Sequence, residues 1–214
     1  MTRYAQVLDY SPPVAVRNVL GDFHMRSFLV RHGASANTVL ALSGTPDIRD
    51  GCLVRLNSAC LSGEVFGCDR CDCSWQLWES LRLIGEDGNG VLIYLADQDG
   101  RGAGLHAKTL SYAAQDDQQL STAEAFDHIG LARDLRSYDS AIAVLEHLQL
   151  TKVRLLTNNP EKVAKIEQAG IAVDRQGLVT SDERYHTYLE GKRHAFGHWI
   201  ESVTPATPQA GEIS

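Results

Sequence analysis

The sequence lacks three features that would place it in other classes of protein. It has no apolar run as long as a membrane span, which needs about 20 residues. Its first residues do not show the charged and then apolar pattern of a secretory signal. It has no basic excess either, because 27 acidic residues outnumber 20 lysines and arginines and give a net charge of −7. We therefore expect a cytoplasmic protein with no membrane partner and no nucleic-acid partner, since nonspecific nucleic-acid binding depends on basic surface.

Cysteines are few and odd in number, which argues against a closed set of disulfides. There are five in 214 residues, so at least one would have no partner within the chain. In a reducing cytoplasm, clustered thiols favour a metal ion. The remaining composition, with 43% hydrophobic and 22% charged residues, is ordinary for a globular protein of one domain.

The two ends of the chain differ in composition from its middle. The last stretch, VTPATPQAGEIS, is small, polar and contains proline. We therefore predict a single domain over residues 1–202 and a disordered tail over residues 203–214. We also expect the first dozen residues, which end near SPP, to be poorly structured.

The apolar segments predict an α/β fold with a mixed sheet. In the N-terminal half we expect short strands, among them VLALSG and GCLVRLN. In the C-terminal half we expect strands and helices to alternate. The segment SWQLWESLRLIGEDG predicts a helix with Leu77, Leu81 and Ile84 on one face, and VLIYLA and VRLLT predict buried strands. Asn159 and Pro160 are typical of a helix start. Ligand loops are expected at the strand ends of such a sheet.

The cysteines are concentrated in the run CLSGEVFGCDRCDC, which indicates a metal site. Cys60, Cys71 and Cys73 could hold a zinc ion and leave its fourth position open for water, as in a catalytic site. Cys68 in the same run, or Cys52 upstream, could instead supply a fourth ligand and close a structural site. The spacing also allows reduced thiols without a metal, or disulfides, so it leaves the kind of site open.

Four segments, taken in chain order, resemble the motifs of one enzyme family. They are RLNSACLSGEVFGCDRCDCSWQL, QDGRGAGLHAKTLSYAAQD, ARDLRSY and VRLLTNNPEKV. They resemble, respectively, the zinc-binding segment, the nucleotide-binding loop and helix, the catalytic Asp-x-Arg segment, and a guanine and phosphate contact region of GTP cyclohydrolase II. This enzyme opens the riboflavin pathway. The resemblance extends from about Gly21 to Trp199, and four motifs in order make it specific.

The resemblance implies a substrate, a reaction and its cofactors. GTP would be hydrolysed at C8 of its imidazole ring, and formate and pyrophosphate would leave to give a ribosylated diaminopyrimidinone 5'-phosphate. One zinc ion per chain would supply hydroxide, and magnesium would accompany the triphosphate. Protons must also reach the ring nitrogens, which requires a general acid–base group. By resemblance the protein would be a homodimer.

The resemblance also assigns catalytic and metal-binding residues. Asp134 takes the acid–base role, Arg136 is the nucleophile that accepts the nucleotidyl group, and Tyr112 lies near the ring that is opened. Arg136 could instead only stabilise charge on the α-phosphate, because a guanidinium is protonated and poorly nucleophilic. Cys52 and Cys68 match no ligand and are expected to be buried or half-buried small apolar side chains. The implied metal ligands are Cys60, Cys71 and Cys73.

A further set of residues is implied to contact GTP. The set comprises Arg55, Ser58, Gln76, Asp99, Gly100, Arg101, Thr122, Thr157 and Lys162. Asp99 stands where the family more often has glutamate, so its carboxylate is shorter by one methylene. Lys108 is a further cation that could meet the triphosphate, since a local basic cluster suffices in an acidic protein. None of the eight histidines is assigned a role.

Three positions depart from the family's pattern. Asn57 and Ala59 stand in a segment that typically reads Arg-x-His-Ser-Glu-Cys, and Ser137 stands where many relatives have aspartate. The changes allow a specialised paralogue that opens GTP or another purine nucleotide for a secondary-metabolite pathway, or that stops at the formamide. A non-catalytic nucleotide-binding zinc protein is the alternative from another class. The joint presence of the three cysteines with Asp134 and Arg136 argues against that alternative.

Overall fold

The computed structural model of the chain describes residues 5–200 and shows a mixed sheet of eight strands with seven α-helices. The strands are β1 Ala5–Tyr10, β2 Val14–Asn18, β3 Gly21–His32, β4 Ser35–Ser43, β5 Cys52–Ser58, β6 Gly90–Leu95, β7 Lys152–Leu156 and β8 Ala172–Gln176. The helices are α1 Leu61–Glu64, α2 Cys73–Asp87, α3 Gly104–Gln118, α4 Thr122–His128, α5 Asp139–His147, α6 Pro160–Gln168 and α7 His186–Phe196. Short 3₁₀ segments cover Ala96–Gly102 and Glu183–Tyr185.

The sheet changes from antiparallel to parallel along its width, which confirms the predicted α/β class with a mixed sheet. Its order is β1-β3-β4-β6-β5-β7-β8, and β2 also pairs with β3. All pairs among β1 to β4, and the pair of β4 with β6, are antiparallel. The pairs of β5 with β6, β5 with β7, and β7 with β8 are parallel. Six of the seven residues of β5 are buried, as expected for a parallel strand covered on both faces.

The N-terminal strands differ from the sequence-based expectation. The first dozen residues were expected to be poorly structured, but Ala5–Tyr10 forms β1 and pairs with β3 from Ala5 opposite His32 to Tyr10 opposite Phe28. β3 is 12 residues long rather than short. Most of β1 is exposed, so its sequence carries little hydrophobic alternation, and the strand exists because a distant partner supplies its hydrogen bonds. The predicted tail, residues 203–214, lies outside the described residues.

The local patterns in the middle of the chain predict its elements well. Leu81 and Ile84 on α2 are buried, as the helical spacing indicates. Asn159 caps α6, because its side chain accepts a hydrogen bond from the amide of Glu161 at 2.9 Å. Pro160 occupies the first turn of that helix, where a missing N–H has no cost.

Two apolar clusters hold the helices against the sheet. The larger cluster joins the central strands to α5 and α6, and the smaller one lies beneath α2. Because β5, β6 and β7 are parallel, the segments that follow them leave at the same edge of the sheet. That edge receives the cysteine run, the Gly-rich segment and the segment after β7. None of the helices within residues 5–200 is long and apolar enough to cross a membrane.

Candidate active site

Three cysteines converge where β5 ends and α1 and α2 begin. The sulfur atoms of Cys60, Cys71 and Cys73 all lie within 4.8 Å of one another, and those of Cys60 and Cys71 are 3.5 Å apart. Within residues 5–200 this group has three members. Cys52 is buried in the core on β5, and Cys68 is half-exposed outside the group. The cluster therefore offers three thiols and no fourth cysteine, which suits a metal with one open position.

Gly63 provides the space that the three sulfurs occupy. A Cβ added to Gly63 would lie 3.1 Å from the Cys71 sulfur, 3.3 Å from the Cys60 sulfur and 3.6 Å from the Cys73 Cβ. Hydrogen bonds from the Cys71 and Cys73 thiols hold the pKa of Cys60 well below its ordinary value, and the hydrogen bond with Cys60 raises the pKa of Cys71 to about 12. The donor set and the space left by glycine fit a bound metal ion.

Lys108 connects the cysteine cluster to the Gly-rich segment. Its Nζ donates to the Cys60 sulfur at 3.1 Å and to Asp99 Oδ1 at 2.8 Å. Burial alone would lower the pKa of Lys108, but the hydrogen bond to Asp99 and the charge of Cys60 raise it. The other oxygen of Asp99 accepts from the amide of Leu61 at 2.7 Å. The predicted residue Asp99 therefore braces the loop around the cysteines in this structure.

The Gly-rich segment packs directly on the Asp134–Arg136 segment. A Cβ on Gly102 would lie 2.9 Å from the carbonyl carbon of Leu135, so only glycine fits at this crossing. The amide of Leu135 also donates to the carbonyl of Arg101 at 2.9 Å. Arg101 itself has a left-handed φ of 57°, an unusual conformation for a residue with a side chain. The two motifs are thus held together by backbone contacts.

Arg136 lines the cavity that contains the three cysteines, and it forms a close ion pair with Asp134. Arg136 Nε donates to Asp134 Oδ1 at 2.9 Å, and its NH2 group donates to the other oxygen. Burial would raise the pKa of Asp134, but the hydrogen bond and charge of Arg136 outweigh it and lower that pKa. The pKa of Arg136 is raised by the same bond, against burial. Arg101 NH1 lies 3.9 Å from Asp134 Oδ2. The pair is therefore ionised near neutral pH.

A second, strongly basic cavity adjoins the first and contains several predicted residues. Arg55 is buried, and its Nε has no hydrogen-bond partner within the described residues. Its NH2 donates to Gln76 Oε1 at 2.5 Å. Lys162 is also buried and donates to the carbonyl of Leu56 at 2.7 Å. Burial and the nearby cations Arg55 and Arg136 lower the pKa of Lys162. Such a cavity favours an anionic ligand.

The remaining predicted residues line the same two cavities or border them. Tyr112 is half-buried, and its hydroxyl lies 3.1 Å from the hydroxyl of Ser62 beside the cysteines. Thr122 begins α4 at the wall of the cysteine cavity, and Thr157 is buried in the basic cavity. Ser58 borders both cavities and donates to Gln98 Oε1 at 2.9 Å. The structure therefore brings residues from all four motifs to one edge of the sheet.

Comparisons with known proteins give the chain a family. The family profile described as GTP cyclohydrolase II matches residues 13–177. The chain is 40% identical over 183 residues to GTP cyclohydrolase-2 of Colwellia psychrerythraea, which covers 85% of this chain and 89% of that protein. The chain belongs to the GTP cyclohydrolase II family. The resemblance of the four motifs is thereby confirmed at the level of the family.

Other relatives in this family are longer than the chain. GTP cyclohydrolase-2 of Xylella fastidiosa is 39% identical over 188 residues, which cover 85% of this chain and 46% of that protein. The riboflavin biosynthesis protein RibBA of Chlamydia trachomatis is 43% identical over 150 residues, which cover 69% of this chain and 35% of that protein. The chain spans less than half the length of these two curated relatives.

Two of the three positions that depart from the motifs the sequence resembles, Asn57 and Ala59, lie beside the cysteine cluster, whereas the hydroxyl of the third, Ser137, accepts from the amide of Asp139. Asn57 is buried and donates to Glu64 Oε1 at 2.8 Å. Glu64 Oε2 accepts from the hydroxyl of Tyr94 at 2.6 Å and lies 3.3 Å from the amide nitrogen of Cys60. Burial raises the pKa of Glu64. A carboxyl group therefore lies behind Cys60, but Glu64 of α1 supplies it, whereas Ala59 contributes only a methyl group to the wall of the cavity.

Three residues near the C-terminal end of the described chain complete this site, and the sequence reasoning missed them. Tyr188 and Lys192 on α7 and His198 just after it line the cavity that contains the cysteines. Lys192 and His198 also line the basic cavity. Burial and the neighbouring cations, Lys192 first among them, lower the pKa of His198 to about 3, so it is neutral at pH 7. An i, i+4 spacing of Tyr188 and Lys192 was the one available signal, and it is too common to be informative.

Proposed function

We propose that the chain is a zinc-dependent hydrolase that opens the imidazole ring of GTP and releases formate and pyrophosphate. One observation carries the proposal: the three-cysteine cluster and Arg136, paired with Asp134, face the same cleft. A site that only bound a nucleotide would need neither an open metal position nor a half-buried carboxylate–guanidinium pair. Family membership supports GTP as the substrate, and the curated relative named for riboflavin biosynthesis supports that pathway.

Cys60, Cys71 and Cys73 would hold the zinc ion, and Gly63 leaves them room to close around it. Zinc in such a site supplies hydroxide at neutral pH. Lys108 donates to the Cys60 sulfur and so disperses the negative charge of the three thiolates. Tyr112 and Ser62 form a hydroxyl pair beside the cluster, placed to contact the ring that opens.

The basic cavity would bind the ends of GTP that do not react at C8. Arg55 has an unused Nε, and Lys162 presents a buried amino group whose pKa is lowered by burial and by nearby cations, so an anion bound there would favour its charged form. Arg101 and Thr122 in the cysteine cavity and Thr157 in the basic cavity would add contacts to GTP. Magnesium would offset the charge of the triphosphate. Gln76 donates one of its two N–H groups to Asp72 and accepts one hydrogen bond from Arg55, so its amide retains one donor and one lone pair with which to contact the base.

Pyrophosphate release would take place at Arg136. As a nucleophile, a guanidinium nitrogen would bond to the α-phosphorus, the bond from that phosphorus to the bridging oxygen would break, and Asp134 would take the proton. Water would then hydrolyse the phosphorus–nitrogen bond. As an electrostatic group, Arg136 would stay protonated and stabilise charge on the α-phosphate while water attacks. The raised pKa of Arg136 favours the electrostatic role.

The changes at Asn57 and Ala59 support a second candidate within the same class. A specialised paralogue could open GTP or another purine nucleotide, or stop at the formamide, because Ala59 lines the cysteine cavity, while Asn57 lines the basic cavity and donates to Glu64 behind Cys60. A homodimeric state and a cytoplasmic location are proposed from the resemblance and the composition alone.

The test is to incubate the zinc-loaded protein with GTP and Mg²⁺ and to identify every product by mass. We expect formate, pyrophosphate and the ribosylated diaminopyrimidinone 5'-phosphate. The formamide as the end product would favour the paralogue. Zinc-free protein should leave the purine ring intact, and Arg136→Ala should lose pyrophosphate release. GTP recovered unchanged from zinc-loaded protein would refute the proposal.

A further inference from the structure

The segment from α7 to Ile200 reaches the site from the C-terminal end of the described chain. Its buried apolar residues form a small cluster apart from the two main ones, made of Tyr185, Leu189 and Ile200. Specific contacts tie the segment to the body of the protein. The Arg101 guanidinium lies 4.0 Å from the ring centre of Phe196, and the amide of Trp199 donates to the carbonyl of Asn158 at 2.8 Å. A further contact joins Lys192 to Asp72, which lies between Cys71 and Cys73 in the chain.

Lys192 pairs with the residue that lies between two of the three cysteines. Its Nζ is 2.8 Å from Oδ1 of Asp72, and the two residues are 120 positions apart in the chain. The Asp72 side chain is completely buried, and 11% of the Lys192 side chain is exposed. A carboxylate with no exposure needs a partner, because an uncompensated buried charge is strongly destabilising.

The second oxygen of Asp72 is bonded to Gln76, a residue that lines the basic cavity. Asp72 Oδ2 accepts from Gln76 Nε2 at 2.6 Å, and Gln76 in turn accepts from Arg55. Asp72 is the residue before α2, where an aspartate ordinarily caps the helix through its side chain. Here that side chain makes no capping hydrogen bond. Lys192 and Gln76 therefore determine its orientation, in place of the start of its own helix.

We propose that Lys192 is a positioning residue for the metal site. By fixing the carboxylate of Asp72, it holds the flanking Cys71 and Cys73 in the arrangement that brings their sulfurs to Cys60. The C-terminal segment is then a required part of the metal site, although it supplies no ligand. The inference rests on the proposed binding of zinc by the three cysteines.

The first test compares zinc affinity among single variants by competition with a chromogenic chelator. Lys192→Met removes the charge and keeps the length of the side chain, and we expect zinc affinity to fall about tenfold or more, as for other partners behind metal ligands. Lys192→Arg should restore most of the affinity. Lys165→Met, on an exposed position of α6, is the matched control and should bind zinc like the unmodified chain.

The direction in which zinc affinity changes in Lys192→Met distinguishes a positioning role of Lys192 from simple charge repulsion. Lys192 is a cation near a site for a cation, so its removal would strengthen zinc binding if only long-range repulsion mattered. Unchanged or tighter binding by Lys192→Met would overturn the proposal. The double variant of Lys192→Met with Asp72→Asn leaves no buried charge unpaired. The double variant should therefore lose less zinc-binding free energy than the sum of the losses in the two single variants. A loss equal to that sum would count against the proposal.

A second readout needs no metal and no activity. In metal-free protein, Cys71 and Cys73 should react faster with iodoacetamide in Lys192→Met than in the unmodified chain, because their loop is no longer fixed. Cys68, outside the cluster, serves as the internal reference in the same peptide maps. If Cys71 and Cys73 reacted at the same rates in Lys192→Met as in the unmodified chain, the proposal would be contradicted. If the unmodified chain did not bind zinc, the proposed function would be refuted instead. The comparison of iodoacetamide rates would still test the role of Lys192, because it uses metal-free protein.

Discussion

Replacing Gly63 by alanine should weaken metal binding without weakening the fold. The added Cβ would lie 3.1 Å from the Cys71 sulfur and 3.3 Å from that of Cys60, closer than ordinary van der Waals contact. Both sulfurs are buried in a packed region, so they must move apart by several tenths of an ångström. Gly63 lies in α1 and has no left-handed φ, so alanine itself is compatible with the backbone.

The magnitude follows from these two effects, which act in opposite directions. Alanine in place of a helical glycine stabilises the metal-free fold by about 0.5–1 kcal/mol. Displacement of the Cys60 and Cys71 sulfurs should lower zinc affinity about 10- to 100-fold, which is the usual effect of removing a group that hydrogen-bonds to a metal ligand. At about 1.4 kcal/mol for each factor of ten, that loss is about 1.4–2.8 kcal/mol of binding free energy.

Two measurements check this prediction together. Zinc affinity is measured by chelator competition, and the free energy of unfolding is measured on metal-free protein. Gly191→Ala is the matched control, because a Cβ there meets nothing within 4 Å and Gly191 lies on α7 away from the sulfurs. If Gly63→Ala bound zinc as tightly as the unmodified chain, the three sulfurs would not need the space that glycine leaves, and the reasoning would fail.

Three further predictions concern the ligands, the ion pair and the departures from the family's pattern. Cys71→Ser should empty the metal site and Cys68→Ser should not; equal loss of zinc from both would point to four cysteine ligands. Since its pKa is lowered in the folded chain, the Asp134 carboxylate should stabilise the fold above the ordinary carboxyl pKa of about 4 and lose that contribution as the pH falls below it, so Asp134→Asn should flatten the acid side of a plot of unfolding free energy against pH. An unchanged profile would mean that the carboxylate is not paired with the adjacent arginine in solution. Restoring His and Glu at positions 57 and 59, as Asn57→His with Ala59→Glu, should change kcat or the products more than the KM for GTP, and a tenfold rate change corresponds to about 1.4 kcal/mol of barrier. Identical kinetics and products would remove the main support for a specialised paralogue.

The sequence alone predicted those parts of the site whose residues are close together in the chain. Cys71 and Cys73 are two positions apart, and Asp134 and Arg136 are two apart, so each pair must lie close together in almost any fold. The glycines of the loop after β6 were also informative, because the chain there takes left-handed φ values and Gly102 crosses the Leu135 carbonyl. Local chemistry of this kind leaves a pattern that can be recognised in one sequence.

The tertiary structure decided which of these pieces meet. The strand β1 was missed because its pairing energy comes from β3 rather than from its own mostly exposed side chains. Lys192 and His198 carry no local signal of a site, since their neighbours in sequence are ordinary helix and turn residues. They reach the cysteines only because the C-terminal segment packs back over the edge where β5, β6 and β7 end. Contacts across more than a hundred residues depend on packing, and no sequence period records them.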